Sequence, residues 1–457
     1  MGARLTLETT AARLVGRLSR AAGRGGGTTL PGKLLWKVDP DAIDALAARL
    51  RFGSALISAT NGKTTTSAMT ARILAGRYRL AWNHSGANLA SGVASTLLAA
   101  PDAELGLLEV DEGALPEVMR RVQPRAVSLG NLFRDQLDRY GELELIAERW
   151  RDAIARLDER ATLVVNADDP LVADLAHGRS RALRFGLDDL LQARPSLQHA
   201  ADSKYCIRCG RPYRYEGAYV GHLGDYRCAG CGHARPQLDV AARNIELEGL
   251  DASAFDLVAP EGTTRVRLPL PGLYNVYNAL AACSLSLALG TPLADIRVGL
   301  ESFSPAFGRF ERIEAGGRRM LILLIKNPAG ANEAIRTLEH GGVPPVLVIA
   351  LNDAIADGQD VSWIWDVDLE PLLARAERVI ASGDRAAELA LRCTYGGLPR
   401  EALEVVPSLE AALDRGLELI PPGGELAVLP TYTAMLRLRA IAAGRGLVRP
   451  YWERAEA

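Results

Sequence analysis

Short apolar runs alternate with stretches of helical periodicity along most of this chain. Four such runs, at residues 55–58, 105–110, 126–129 and 161–165, fall between about residues 30 and 185. Runs this short and this continuously apolar suit strands covered on both faces. Their alternation with helical patterns predicts a mostly parallel sheet with helices on either side. Residues 195–237 interrupt the alternation with a Cys-rich stretch; 238–270 return to β periodicity, and 273–300 carry two helical patterns. A second alternating unit starts near residue 305, with strands predicted at 320–325, 346–351, 378–381 and 425–429. The expected class is α/β: a doubly wound, mostly parallel sheet with an inserted ribbon, then a smaller Rossmann-like α/β domain. The expected division is 1–29, an N-terminal helix and Gly-rich connector; 30–305, the first sheet with its insert; and 306–457, the second domain.

A length of 457 residues agrees with two or three domains. The net charge of −2 argues against a nucleic-acid polyanion as partner. No apolar run reaches the roughly 18–20 residues that span a bilayer. The first 29 residues place Arg4, Arg13, Arg17, Arg20 and Arg24 among leucines, a basic amphipathic pattern that allows peripheral membrane contact at most. The basic residues are divided unevenly: of 53, only Lys33, Lys37, Lys63, Lys204 and Lys326 are lysines. Where arginine serves as the general surface cation, a retained lysine suggests a task for a compact point charge, such as contacting phosphate.

Lys63 stands in Ala59-Thr60-Asn61-Gly62-Lys63-Thr64-Thr65-Thr66, after a predicted strand and at the start of a predicted helix. That order turns backbone N–H groups and a helix N-terminus toward an anion. Thr60, Asn61, Gly62 and Thr65 would shape the loop, Lys63 would meet the β- and γ-phosphates of ATP, and Thr64 would offer its hydroxyl to Mg²⁺. Further polar segments follow the next strands. They are Glu109 to Glu112, the segment from Asn131 through Asp135 and Gln136 to Asp138, and Asn166-Ala167-Asp168-Asp169. Strand ends in an open parallel sheet line the ligand crevice. Glu109 and Glu112 have the oxygen chemistry Mg²⁺ requires, and Asn166 with Asp168 is placed for a base or ribose contact.

The insert carries Cys206-Ile207-Arg208-Cys209 and Cys228-Ala229-Gly230-Cys231, with eighteen residues between the inner cysteines. Two such knuckles, each followed by a glycine, form a zinc-ribbon signature. The expected ligands Cys206, Cys209, Cys228 and Cys231 would close a structural Zn²⁺ site with no open position. Disulfides are the alternative, disfavoured in the cytosol. Cys283 and Cys393 are isolated in helical patterns and read as small buried residues.

Taken in order, these segments resemble the central domain of the Mur ligases, which join amino acids to the cell-wall precursor. Two later segments extend the likeness: Tyr274-Asn275-Val276-Tyr277-Asn278-Ala279-Leu280-Ala281 and Gly308-Arg309-Phe310-Glu311. The resemblance implies nucleotide-site roles for Glu109, Glu112, Asn131, Gln136, Asn166, Asp168, Asn275 and Arg309. The chain departs from the family in three ways. Only about fifty residues precede the phosphate-loop strand, so the uridine-nucleotide domain is expected to be absent. Gln136 replaces the usual metal-site His, and no lysine lies between Lys63 and Lys204 to be carbamoylated. A simplified metal site follows from the last two.

Several segments of the second unit, Lys326-Asn327-Pro328, Asn352-Asp353, Ala356 to Asp366, Ser382 to Arg385 and Pro430 to Met435, resemble the MurT branch of that family. That branch implies ATP-dependent amidation of the D-glutamate α-carboxyl of lipid II, through an acyl phosphate, at the cytoplasmic face of the membrane. It also implies a partner glutaminase of the GatD type, with an aspartate of the ligase subunit assisting it; Asp353, Asp357 and Asp360 are the candidates. Lys326 is expected to reach the γ-phosphate from the second domain. Another Mur-fold amide ligase, of the folylpolyglutamate type, is the alternative reading.

Overall fold

The computed structural model describes residues 30–39, 41–83, 86–135, 142–194, 196–198, 201–304 and 310–449. The expected N-terminal helix, Gln136, Arg309 and the expected boundary near residue 305 lie outside them. Two helices, Leu30–Val38 and Ala42–Ala47, precede β1 (Ser54–Ser58). Then follow β2 (Leu80–Trp82), β3 (Leu105–Glu109), β4 (Ala126–Leu129), β5 (Thr162–Asn166) and β6 (Ala182–Leu187). The insert supplies an antiparallel hairpin, β7 (Tyr213–Val220) and β8 (Leu223–Cys228). The main sheet resumes with β9 (Val240–Glu248), β10 (Ala252–Ala259) and β11 (Gly262–Leu268). Its order is β11-β10-β9-β6-β5-β4-β1-β3-β2. From β2 to β9 neighbours run parallel; only β10 and β11 join antiparallel.

Alternate residues of these strands feed two cores. Ala55, Ile57, Leu105 and Leu107 pack with the helices Lys63–Leu74 and Leu273–Ala288. Leu56, Leu108, Val127 and Leu163 face the other way, toward the helices Ala90–Ala99, Leu115–Val122 and Leu143–Ala155. Successive side chains on a strand point to opposite faces, so an all-apolar run is what a sheet covered on both sides demands.

The second sheet holds β12 (Glu311–Ala315), β13 (Arg318–Ile322), β14 (Val346–Ala350), β15 (Arg378–Ser382), β16 (Leu403–Val405) and β17 (Glu425–Pro430), in the order β12-β13-β17-β14-β15-β16. Only the β12–β13 pair is antiparallel. The run expected as one strand at 320–325 begins two residues earlier and leaves the regular ladder after Ile322. Leu323 and Ile325 still donate backbone N–H bonds to Val428 and Pro430 (2.9 Å each), which carries the chain straight to Lys326. The apolar core on one face of this sheet, with Leu321, Leu347 and Leu429, is continuous with that of the first sheet. The two sheets thereby share one packed core.

Candidate functional site

The cleft opens at the C-terminal ends of β1, β4 and β5 and is lined by Asn61, Lys63, Thr66, Asn131, Asn166 and Asn278, with apolar Phe185, Tyr277 and Ala281 at one side. Its floor is the turn between β1 and the helix Lys63–Leu74. Gly62 caps that helix at φ 89°, a left-handed conformation open to glycine. Space demands glycine as well: a Cβ there would lie 2.0 Å from Asn278 Oδ1. The turn is laced to the segment after β4. Thr60 N–H donates to Asn131 O (2.9 Å), Asn61 N–H to Asn131 Oδ1 (2.9 Å), and Asn131 Nδ2 returns a bond to Asn61 O (3.1 Å). Thr60 Oγ1 accepts from Phe133 N–H at 3.1 Å. Thr64 is half-buried in the first helical turn and Thr65 is buried behind it.

Lys63 is buried; its Nζ donates to Glu112 Oε2 (2.7 Å) and to the carbonyls of Ala59 and Thr60. Burial disfavours its charge, but Glu112, helped by Asp111 and Glu109, outweighs that and raises its pKa. Glu112 is held below the ordinary carboxylate value: burial works against it, and Lys63 and then Lys326 overcome burial. Glu109, at the end of β3, is clamped through its backbone by Asn83, which accepts from its N–H (2.8 Å) and donates to its C=O (2.7 Å). One carboxylate oxygen, Oε1, accepts from Asn88 Nδ2 at 3.3 Å; Oε2 is buried without a partner. Glu109 and Glu112 both act on the Lys63 ammonium, and a buried carboxylate oxygen left unpaired there fits a hard divalent cation.

From the second domain, Lys326 Nζ donates to Thr60 O (2.9 Å) and Asp135 Oδ2 (2.6 Å). The next residue clasps the same turn. Asn61 Nδ2 donates to Asn327 Oδ1 (3.1 Å), and Asn327 Nδ2 donates to Asn61 Oδ1 (3.0 Å). Asn327 Oδ1 also accepts from Gly330 N–H (2.9 Å), capping the helix Pro328–Gly341. That helix is anchored further along by Arg336, which donates to the carbonyls of Tyr219 (2.7 Å) and Gln192 (2.8 Å).

Not every expected residue faces the cleft. Asn166 lines it, whereas the fully buried carboxylate of Asp168 is taken up by its neighbours. It accepts from Tyr277 Oη (2.6 Å), Leu187 N–H (2.8 Å) and Arg235 Nη1 (3.0 Å). Burial raises its pKa, with Arg235 opposing. Asp168 therefore ties β5 to the helix Leu273–Ala288 and to the insert. Asn275 is likewise internal, donating to Pro271 O (2.7 Å) and accepting from Asn278 Nδ2 (3.1 Å); Asn278 is the member of that helix that meets the loop. Asn83, Asn88, Asp135, Asn278 and Asn327 were not singled out as site residues from the sequence. A signal was present for three of them: Asn278 sits three residues after Asn275, and Asp135 and Asn327 flank residues that were singled out.

The three aspartates of the second domain have distinct surroundings. Asp357 is buried and accepts from both the N–H (2.8 Å) and the hydroxyl of Thr433; burial raises its pKa against those bonds. Asp353 pairs with Arg385 at 2.7 Å. Asp360 is exposed and caps Ser362 N–H at 2.9 Å, which lowers its pKa. Around them the surface carries exposed Ile355, Trp365, Leu391 and Tyr395, with the Trp365 and Tyr395 rings in edge contact at 5.7 Å.

In the insert, the sulfurs of Cys206, Cys209, Cys228 and Cys231 all lie within 4.8 Å of one another. Cys206 and Cys231 are 3.5 Å apart and Cys209 and Cys228 3.4 Å, too far for S–S bonds. A tetrahedral Zn²⁺ with bonds of about 2.3 Å sets its sulfurs about 3.8 Å apart, so the four cysteines fit that ion. Gly210 and Gly232 close the two knuckles at φ 71° and 77°. No helix among the described residues is long and apolar enough to cross a membrane.

The Mur ligase middle domain model matches residues 57–209, and the MurT ligase C-terminal model matches residues 324–435. The chain is 35% identical over 454 residues to the MurT subunit of the glutamine-hydrolysing lipid II isoglutaminyl synthase of Streptococcus pneumoniae, covering 97% of this chain and 99% of that one. It is 35% identical over 386 residues to the corresponding subunit of Staphylococcus aureus strain N315, covering 83% and 85%. Among solved structures, a pseudomurein peptide ligase type C from Methanothermus fervidus superposes with a TM-score of 0.68 at 21% identity, over 88% of this chain and 80% of that one. MurF from Thermotoga maritima in complex with ADP gives 0.59 at 16%, over 88% and 83%. The last two likenesses carry the fold, which is that of the Mur ligases.

Proposed function

The chain belongs to the MurT family of Mur-type, ATP-dependent ligases, and from that premise we propose that it amidates the D-glutamate α-carboxyl of lipid II, using ammonia from a partner glutaminase. The observation that carries the proposal is the meeting of Lys63 and Lys326, from different domains, on one phosphate-loop turn. ATP would lie along the cleft with its phosphates over Asn61, Gly62 and Lys63 and its base toward Asn166. Glu109, Glu112 and Thr64 would hold Mg²⁺, which neutralises phosphate charge when bound. The acceptor carboxylate oxygen bonds to the γ-phosphorus as the bond to ADP breaks, giving an acyl phosphate. Ammonia then bonds to the acyl carbon, phosphate leaves, and the nitrogen loses a proton. The side chains position the reactants and stabilise charge; Lys326 supplies a second cation to the γ-phosphate.

Separate glutaminase chemistry accords with this chain's own thiols. Burial raises the pKa of Cys283, and that of Cys393 to about 12, the reverse of what a thiolate nucleophile needs. The exposed Ile355, Trp365, Leu391 and Tyr395 beside Asp353, Asp357 and Asp360 suit the docking face for the partner. Of the three carboxylates, Asp360 is the most exposed, which supports it over Asp353 and Asp357 as the one that assists the partner. Zn²⁺ in the four-cysteine site would hold the insert together. The substrate would be met at the inner face of the membrane.

The test is ATP-dependent amidation of lipid II with free ammonia, with and without a glutaminase partner. One ADP per amide formed is expected with ammonia alone, and glutamine should serve only when the partner is present. Absence of amide product with ammonia, ATP and Mg²⁺ would defeat the proposal; glutamate addition to a folate acceptor would favour a folylpolyglutamate-type activity instead.

A further inference from the structure

The insert reaches the phosphate loop through one buried residue that the ligase reading does not use. His222 sits at the tip of the β7–β8 hairpin and is fully buried. Its ring packs on Phe133 at 4.9 Å between centroids, and a Cβ on the neighbouring Gly221 would lie 2.8 Å from Phe133 Cε1. Nε2 is 3.3 Å from Asp169 Oδ2, and Nδ1 is 3.9 Å from Asp202 Oδ2. Neither nitrogen has a hydrogen-bond partner elsewhere. The same two carboxylates hold the backbone of the segment after β4. Asp169 Oδ2 accepts from Leu132 N–H (2.8 Å), and Asp202 Oδ2 accepts from Arg134 N–H (3.1 Å). Between them, Phe133 N–H donates to Thr60 Oγ1 (3.1 Å). One residue further on, Asp135 receives Lys326 (2.6 Å).

Both carboxylates are committed as anions. Asp169 also accepts from Leu171 N–H (3.0 Å) and Val172 N–H (3.3 Å), and Asp202 also accepts from the Arg134 guanidinium. A carboxylate can only accept, and a neutral imidazole has a single N–H. A neutral ring would therefore turn a lone pair toward one of the two anions, whereas the imidazolium offers a donor to each. Burial disfavours that charge, but Asp169 and then Asp202 outweigh burial and raise the pKa of His222. The other ionisable groups close by are Arg134, which pairs with Asp202, and Tyr215 and Tyr226, phenols that burial keeps neutral.

We propose that His222, as an imidazolium, is a positioning residue for the nucleotide site: it locks Asp169 and Asp202 together, and they set the 132–134 backbone against Thr60 and place Asp135 beside Lys326. The inference rests on the ligase reading for the reaction that the site serves. It gives the insert a task beyond holding a metal of its own.

The test follows the affinity of the full chain for Mg-ATP by equilibrium binding from about pH 6 to about pH 10, a range that starts near the ordinary histidine value. A raised pKa means that the imidazolium is fully present below about pH 6.5 and is lost as pH rises through the folded value. Wild-type affinity should therefore fall toward the alkaline end. His222→Gln, neutral throughout, should bind roughly tenfold more weakly at low pH, the scale of a lost bond to a charged group, and the gap should close as pH rises. Asp202→Asn removes the second anion, so a neutral ring suffices and the alkaline loss should shrink; this variant decides the matter if His222→Gln does not fold. A flat wild-type profile, a gap that does not change with pH, or a His222→Gln protein that loses melting temperature while keeping nucleotide affinity would overturn the proposal. A pH-dependent gap without any amidation of lipid II would leave the role of His222 standing and remove the ligase reading.

Discussion

Lys63 and Lys326 reach the same turn by different routes, and each is held by a carboxylate, Glu112 and Asp135 respectively. At these two places a primary ammonium differs from a guanidinium: three donors on one compact centre can bridge a carbonyl, a carboxylate and a phosphate oxygen at once. Lys326→Arg should therefore lower kcat for amidation roughly tenfold or more at saturating ATP, with a smaller change in the KM for ATP. Unchanged turnover would remove the specific role. The lysine census made both residues visible in the sequence. The loop pattern made Thr60 to Thr65 visible because those residues act through local backbone geometry. Asn83, Asn88 and Asn278 act through tertiary contact with residues 26, 21 and 212 positions away, and single asparagines carry no periodicity. Asp168 shows the opposite case. Its motif was legible, but burial against Tyr277 and Arg235 makes it a strut.

Among the elements, β1, β3, β4 and β5 were legible because a sheet covered on both faces leaves short, largely apolar runs, whereas β6 was missed because Arg184 and Gly186 interrupt its apolar run. The three-residue strands β2 and β16 were too short to show a pattern, and β12 was missed because its Glu and Arg residues disguise an antiparallel edge. The knuckles of the insert were legible from spacing alone, but what the insert touches was not. Its hairpin carries Tyr219, whose carbonyl receives Arg336 from the second domain, and Arg235, just beyond the hairpin, grips Asp168. Loosening the ribbon should thus be felt at the domain boundary. Freshly purified protein should contain about one equivalent of zinc, and a strong chelator should lower the melting temperature. Less than about half an equivalent by elemental analysis would count against the metal.

Across the whole molecule, the reciprocal amide bonds between Asn61 and Asn327 join residues 266 positions apart and fix one domain on the other at the phosphate loop. Asn61→Ala and Asn327→Ala should each reduce kcat/KM for the acceptor several-fold. The double variant should lose little more than either alone, a coupling on the order of 0.5–3 kcal/mol. Additive losses would show that the two residues act separately. A last consequence comes from the position of β17, the last strand of the chain's described part, between β13 and β14 in the middle of the second sheet. Just past it, Thr431 and Thr433 hold Asn352 and Asp357 in place. During synthesis from the N-terminus, the sheet stays split until residues 425–433 have emerged from the ribosome. The proposed docking face around Asn352 and Asp357 is therefore among the last parts of the second sheet to take shape.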